Sequence, residues 1–175
     1  LTYISDRTGI TYNDKGQITG YHEEIIITTV DGGKIKTTND ATFSYLNVNQ
    51  QFGPDVKEPD PDKLLASAII TTAENPDGSI KTETNTVNYE YKSGVPVNAY
   101  GHSDFNGRDK DHLDEQGVIV QGDTFSGSSD TQYEILYGKP MAKQLDSSTS
   151  YTSSIDGTLK RTEHSSVTYT NGLVN

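Results

Sequence analysis

The sequence contains no cysteine and no tryptophan among its 175 residues. Without cysteine, the chain has no disulfide, no zinc site built on thiolates and no cysteine nucleophile. Secreted eukaryotic proteins often carry disulfides, whereas many bacterial and archaeal surface proteins do not. The missing cysteines therefore favour a prokaryotic source.

Long apolar runs and an excess of positive charge are missing as well. No stretch of 18 apolar residues occurs, so the sequence predicts no membrane-spanning helix. The net charge is -11, whereas binding to nucleic acid requires a basic surface. Anionic membranes repel such a chain for the same reason. We therefore expect neither a nucleic-acid partner nor insertion into a membrane.

The chain also lacks any sustained recurrence of apolar residues at the 3.6-residue period of a helix. Only 31% of its residues are hydrophobic, which leaves little material for a thick core. Eleven tyrosines offset part of this shortage, because a tyrosine ring lies half-buried on a sheet while its hydroxyl reaches water. The sequence predicts an all-β fold, in which antiparallel hairpin or meander repeats form a sandwich or an elongated β-repeat module.

The chain contains a short sequence motif, here called a phrase, that recurs about five times. A short strand ends in an aromatic residue and is followed by a turn at Gly or Asn-Gly and by a second strand. Successive copies are spaced by about 31, 46, 44 and 36 residues, which is the usual span of a repeat unit. Such regularity favours an architectural protein over an enzyme. The aromatic residues concerned are Tyr12, Phe43, Tyr89, Tyr133 and Tyr169.

A second phrase, Asp-Gly followed by a threonine-rich stretch, precedes three of these aromatic residues. Asp-Gly and Asn-Gly are typical of two-residue hairpin turns, in which both central residues have positive φ. The threonine-rich stretches suit strands with one exposed face. We therefore predict hairpins at Asp31-Gly32, Asp77-Gly78, Asp156-Gly157 and Asn171-Gly172.

These phrases divide the chain into units of one β-repeat module that spans residues 1–175. The predicted units lie near residues 1–40, 41–86, 87–130 and 131–166, and residues 167–175 begin a further unit. Two irregular insertions interrupt them, a proline-rich acidic one at 50–63 and one rich in Asp, Gly and Ser at 101–130. Because the chain starts at Leu1 and stops in mid-phrase, we expect an excerpt or a processed subunit of a longer repeat protein.

The first unit reads Tyr-Asn-Asp-Lys-Gly-Gln-Ile-Thr-Gly-Tyr between Tyr12 and Tyr21. It resembles a Tyr-Asn-x-x-Gly-Gln-x-Thr-x-Tyr repeat of very long, filamentous-haemagglutinin-like bacterial surface proteins. It is similar, more distantly, to the Tyr-Asp repeats of Rhs-type proteins, whose hairpins build β-shells. Later copies do not retain Gln17 and Thr19. The resemblance implies a structural repeat protein that is secreted or displayed at the cell surface, and it carries no catalytic residues across.

The strongest candidate for chemistry is an acidic stretch in the second insertion. Calcium takes about six to eight hard oxygen ligands, often from one flexible loop. Asp109 and Asp111 would share the ion, with further oxygens from the same stretch. The match to an EF-hand is poor, because Arg108 stands at the fifth position and the sixth is not Gly. The alternative is a solvated loop held by Asx turns and by its two cations. The predicted calcium ligands are Asp104, Asn106, Asp109, Asp111 and Asp114, with Glu115 as an alternative.

Other constellations are weaker. A second acidic cluster, Asp55, Glu58, Asp60 and Asp62, has prolines that keep its carboxylates apart. Three adjacent residues have the side-chain types of an acid–base catalytic set, namely His102, Ser103 and Asp104. No nucleophile elbow accompanies them. The sequence therefore predicts no enzymatic activity.

The sequence leaves two main functions open, and a third interpretation, a phage-fibre segment, would share the fold and differ in being trimeric. The first is a non-catalytic extracellular structural module, self-associating or chained into a fibre, sheath or adhesin stalk, because repeat units bury their faces on neighbours. Its partners would be further copies or adjacent modules, paired through terminal strands near Leu1–Ile4 and Val167–Val174. The alternative is an adhesive recognition module that binds a glycan or a protein through the two insertions.

Overall fold

A computed structural model describes residues 2–45, 63–92, 95–137, 139–170 and 173–174. Twelve strands and no helix occur in this part of the chain. The strands are β1 (Thr2–Tyr12), β2 (Ile18–Thr28), β3 (Lys34–Tyr45), β4 (Leu64–Glu74), β5 (Ile80–Lys92), β6 (Val95–Arg108), β7 (His112–Leu113), β8 (Ile119–Val120), β9 (Thr124–Leu136), β10 (Lys139–Thr152), β11 (Leu159–Thr170) and β12 (Leu173–Val174).

The strands form one antiparallel meander, which confirms the predicted all-β hairpin fold. The order in the sheet is β1-β2-β3-β4-β5-β6-β9-β10-β11-β12, and β7 and β8 form a small separate hairpin between β6 and β9. Each long strand contacts the strands beside it, and β6 also approaches β10 across β9. Among the described strands nothing stacks on either face. The fold is therefore a single layer, so of the two predicted forms the elongated module is observed and the sandwich is not.

The two faces of this layer differ in chemistry. Side chains alternate along a strand and directly opposed residues share a face, so the pairing register assigns each residue to one side. One side, here the tyrosine face, carries most of the strands' aromatic residues: Tyr21, Phe43, Tyr89, Phe105, Phe125, Tyr133, Tyr151 and Tyr169. The other, here the acidic face, carries most of the strands' carboxylates: Asp6, Glu24, Asp40, Glu74, Glu90, Asp104, Asp130, Glu134 and Asp146.

Packing on the tyrosine face is thin. Among the described hydrophobic residues only Ala41 and Ala99 are buried. At the centre of the sheet, Phe105 stands opposite Gly127 and Phe125 stands opposite Gly107. A Cβ at Gly127 would lie 2.7 Å from the Phe105 ring, so each phenylalanine occupies the space that its glycine partner leaves free.

Five-residue turns of one geometry join many of the strands. In the turns 13–17, 29–33, 75–79 and 114–118, the first residue donates its N–H to the carbonyl of the fifth. A glycine at the fourth position donates back to the first residue and has φ between 77° and 86°. The turn 153–158 is one residue longer and places Gly157 at φ 71°. This is the pattern of a three-residue hairpin loop closed by a glycine bulge.

The hairpins predicted at Asp31-Gly32, Asp77-Gly78 and Asp156-Gly157 are confirmed, but the predicted two-residue turn type is wrong. None of these aspartates has positive φ. Instead Asp77 and Asp156 each accept the N–H of the residue two positions on, at 3.0 Å, which holds the aspartate inside the turn. The turn predicted at Asn171-Gly172 lies outside the described residues, and β11 and β12 on either side of it pair antiparallel.

The stretch 101–130, predicted as an irregular insertion, is mostly strand. Its first part continues β6 to Arg108, and its last part begins β9 at Thr124. Gly and Asp are depleted in strands, but here the small residues give the facing phenylalanines room. Only 109–123 leaves the sheet, with β7 and β8 inside it. The other predicted insertion, 50–63, lies almost wholly outside the described residues.

Two successive hairpins are copies of one another. β4 and β5 begin 46 residues after β2 and β3. The Tyr45 hydroxyl donates to the carbonyl of Ile18 at 2.9 Å, and the Tyr91 hydroxyl donates to the carbonyl of Leu64 at 2.7 Å, which is the same bond one copy later. The repeat seen in the sequence at this spacing is therefore also a structural repeat.

Candidate functional site

One end of the sheet, here called the loop end, collects the loops that leave the layer. Because the strands alternate in direction, the connections 29–33, 75–79, 109–123 and 153–158 all lie at this end. The last three enclose an open cleft of about 560 Å³, here the loop-end cleft. Its charged and titratable lining residues are Asp77, Asp109, Lys110, His112, Asp123 and Lys160.

Backbone hydrogen bonds fix the walls of the loop-end cleft. Residues 109–123, which leave the sheet between β6 and β9, are here called the excursion. Asp109 donates its N–H to the carbonyl of Asp123 at 2.8 Å, which closes the base of the excursion. Asp111 donates its N–H to the carbonyl of Asp77 at 3.1 Å, and the Arg108 guanidinium donates to the carbonyl of Gly78 at 3.0 Å. These bonds tie the excursion to the β4–β5 turn. The cleft is thus built by several loops that support one another, although each lies at the surface.

Two carboxylates of the cleft, Asp123 and Asp77, have a lowered pKa and are held in their charged form. The Lys160 ammonium donates to Asp123 Oδ2 at 2.5 Å and, as the largest cause, lowers the pKa of that carboxyl. The pKa of Asp77 is also lowered, chiefly because its carboxylate accepts the hydroxyl of Ser79. The cleft therefore offers fixed negative charge beside the cations Lys110 and Lys160, which suits polar or charged ligands rather than apolar ones.

The structure separates the five predicted calcium ligands. Asp104 and Asn106 lie on β6, on the acidic face, whereas Asp109 and Asp111 lie in the excursion. Asp111 Oδ1 accepts the N–H of Gly122 at 3.3 Å and lies 3.7 Å from Arg108 Nε. Asp114 Oδ1 accepts the N–H groups of the β7–β8 turn, at 3.0 and 2.7 Å.

Two of the predicted ligands, Asp111 and Asp114, thus accept backbone hydrogen bonds that fasten loops. Within the described ranges no group of three His, Cys, Asp or Glu residues is placed to hold a metal. Calcium binding by this stretch stays a prediction, and calorimetry with calcium on chelator-treated protein tests it. The second acidic cluster, Asp55, Glu58, Asp60 and Asp62, lies outside the described residues.

The adjacent residues His102, Ser103 and Asp104 do not form an acid–base set with the serine. Ser103 points to the tyrosine face, where its hydroxyl donates to Glu83 at 2.6 Å. On the acidic face, His102 Nδ1 lies 2.7 Å from Asp130 and Nε2 lies 3.2 Å from Asp104. These carboxylates, Asp130 first, raise the pKa of His102. Strand alternation separates the serine from the histidine, and an exposed histidine between two carboxylates remains.

Sequence reasoning missed Asp77, Asp123 and Lys160 as residues of a shared cleft. A signal was present, because hairpins of a meander alternate between its two ends. The Asp-Gly turns at Asp77 and Asp156 and the middle of the second insertion therefore had to meet at one end. The length of β6 and β9 hid this, since the insertion was expected to begin at residue 101.

Comparisons of the chain with protein-family models, with curated proteins and with solved structures return no match. In the described part of the chain, no helix is long and apolar enough to cross a membrane.

Proposed function

We propose that this chain is a non-catalytic structural β-repeat module of an extracellular or cell-surface protein. Neighbouring modules or further copies extend its sheet into a fibre, sheath or adhesin stalk. The observation that carries the proposal is the copied hairpin: the same two strands, turn and tyrosine hydrogen bond occur twice at a spacing of 46 residues. A sheet that grows by adding equivalent hairpins is built for length rather than for enclosing a substrate.

The outer strands support extension of the sheet. Within the described residues, β1 pairs only with β2, and all of its residues are exposed. Its apolar side chains Ile4 and Tyr12 are 58% and 59% exposed. Natural proteins usually protect such an edge with charge, proline or a covering element. A strand of a neighbouring module would cover it by β-augmentation.

The opposite border has a different character. β11 is exposed along most of its length, and among the described residues only the two-residue β12 pairs with its outer side. A heterologous contact between unlike borders does not close on itself and propagates into a filament. The extracellular location rests on the resemblance of the Tyr12–Tyr21 phrase to bacterial surface repeats.

A matched pair of isoleucine variants tests this proposal. Ile4 and Ile70 both lie on the acidic face and both are exposed, but Ile4 is on the border strand β1 and Ile70 is on the interior strand β4. We expect filaments of the wild type in electron micrographs, loss of filaments in Ile4→Lys because lysine protects a strand edge, and retention in Ile70→Lys. A wild type that stays monodisperse at high concentration would contradict the proposal.

The loop-end cleft favours a second candidate, an adhesive module that recognises a polar glycan or an oppositely charged peptide. Lys110 and His112 line the cleft and are exposed. A glycan and peptide array probed with the wild type and with Lys110→Ala would show saturable binding that the substitution weakens. Binding that is insensitive to Lys110→Ala would place recognition elsewhere, and an array without signal would remove this candidate.

A further inference from the structure

Among the described residues, no element covers the tyrosine face. The total accessible surface is 11432 Å², whereas a compact protein of this mass exposes about 8,400 Å². No large side chain among the described residues is fully buried. Half-buried rings such as Tyr89, Phe105 and Tyr133 therefore lie in one thin layer beside water. We propose that a second copy of this chain packs on the tyrosine face, so that two single layers form a sandwich between chains.

The charge pattern favours a second copy as the occupant. Each carboxylate assigned to the tyrosine face has a cation beside it: Glu23 lies 2.9 Å from Arg7, Glu83 lies 2.7 Å from Lys81, and Glu163 lies 3.3 Å from Arg161. The tyrosine face is therefore close to neutral. Two such faces approach without net repulsion, whereas two acidic faces repel each other.

Two of these cations lie over aromatic rings of the tyrosine face. Arg7 lies 4.2 Å from the Tyr21 ring centroid, and Arg161 lies 4.1 Å from the Tyr151 ring centroid. Tyr21 and Phe43 pack with ring centroids 6.0 Å apart, and Phe125 and Tyr151 with centroids 6.1 Å apart. When a charged group lies over an aromatic ring, the alkyl part of its side chain and the edge of the ring remain available to contact a partner.

The available area exceeds what a stable dimer needs. Strands spaced by about 4.8 Å, with a rise of about 3.4 Å per residue, give nine strands of eleven residues a face of roughly 1,400 Å². A stable interface buries about 800 Å² per partner. Two sheets that pack face to face lie about 10 Å apart and enclose a shared core. Face pairing is independent of the edge pairing proposed above, because it uses side chains rather than border strands.

Two asparagines of β5 provide a matched test. Asn85 lies on the tyrosine face and Asn88 lies on the acidic face, and both are exposed. Asn→Asp adds one charge with almost no change in shape. Both variants are made in the Ile4→Lys background, so that edge pairing does not contribute to the measured mass. Sedimentation velocity from about 1 µM to about 1 mM, a range that spans the usual dissociation constants of such pairs, gives the dimer constant.

We expect the Ile4→Lys chain to dimerise and Asn85→Asp to raise the dimer dissociation constant by about tenfold or more, because the carboxylate would be buried without a partner. Asn88→Asp should leave the constant unchanged, and circular dichroism should show that every variant is folded. A monomer over the whole range would overturn the face pairing even where wild-type filaments form. Equal effects of the two substitutions, or an effect of Asn88→Asp alone, would overturn it as well.

Discussion

Gly107 and Gly127 face Phe125 and Phe105 across the β6–β9 pair and decide how closely these strands pack. A Cβ on either glycine would meet a phenylalanine ring and also a backbone oxygen of the next strand, Ile80 or Ser148. Rings can rotate away from such a contact, but a hydrogen-bonded strand cannot move without loosening its neighbour. The glycines are therefore requirements of packing, although glycine weakens an ordinary strand.

Gly127→Ala should lower the free energy of unfolding by about 1–3 kcal/mol, the usual cost of overpacking. Urea denaturation measures the change. Ser128→Ala is the matched control, since Ser128 follows Gly127 but projects to the acidic face, and its expected effect is within about 0.5 kcal/mol. Equal losses in both variants would contradict the assigned contact with Phe105.

His102 should titrate above the ordinary histidine value of 6.5, because Asp130 and Asp104 stabilise its charged form. Folding raises this pKa, so the stabilisation is complete below pH 6.5 and is lost as the pH rises through the folded-state value. NMR titration of the imidazole protons measures the pKa. Asp130→Asn should lower it, whereas Asp6→Asn, far along the acidic face, should not. An unchanged pKa in Asp130→Asn would refute the ion-pair assignment.

At the scale of the element, the turn glycines fix where each hairpin reverses. Gly32 has φ 86°, and no atom lies within 4 Å of the position of a Cβ, so the cost of a side chain there comes from the backbone alone. Gly32→Ala should destabilise the protein by about 1–2 kcal/mol. Gly32→Asn should cost less, because asparagine tolerates this conformation. Thermal unfolding of the three proteins measures the order, and an alanine variant as stable as the asparagine variant would contradict the turn geometry.

The sequence predicted the positions of three hairpins but neither their turn type nor the length of the strands. Asp-Gly marks a reversal in both kinds of turn, and the choice between them depends on side-chain hydrogen bonds such as that from Ser79 to Asp77. The ends of β6 and β9 were missed because Gly and Ser argue against strands when read alone. The reason that these small residues suit β6 and β9 is visible only when Phe105 and Phe125 are seen opposite the glycines of the β6–β9 pair.

At the scale of the whole molecule, the sequence predicted the pattern of strands but not the number of layers. Alternation of polar and apolar residues occurs both in a sandwich and in a single layer, because it reports only that the two faces differ. The loop-end cleft could not be located for a related reason. Its residues Asp77, Asp123 and Lys160 lie far apart in sequence and meet only through the order of the strands.

A layer whose strands contact mainly their neighbours should open from its borders inward. Each interior strand has two partners, whereas β1 has one among the described residues. Stability then resembles a sum of nearest-neighbour terms, as in repeat proteins. Hydrogen exchange followed by mass spectrometry should show the strongest protection in β4–β6 and the weakest in β1. Equal protection across all strands would indicate a single cooperative unit.

The copied hairpin also indicates how such a chain can lengthen during evolution, by duplication of one unit in its gene. Because 46 is even and the copy contains two strands, duplicating or losing one unit returns every later residue to the same side and the same direction. Removing residues 18–63 should therefore join the 13–17 turn directly to β4 and leave a shorter folded sheet, seen by circular dichroism. Removing 18–62 instead would add one residue to this turn and shift the pairing register at the junction, so the shorter sheet should be less stable than the one made by removing 18–63. Genes that encode this architecture can vary in length by whole hairpins without redesigning what each surface displays.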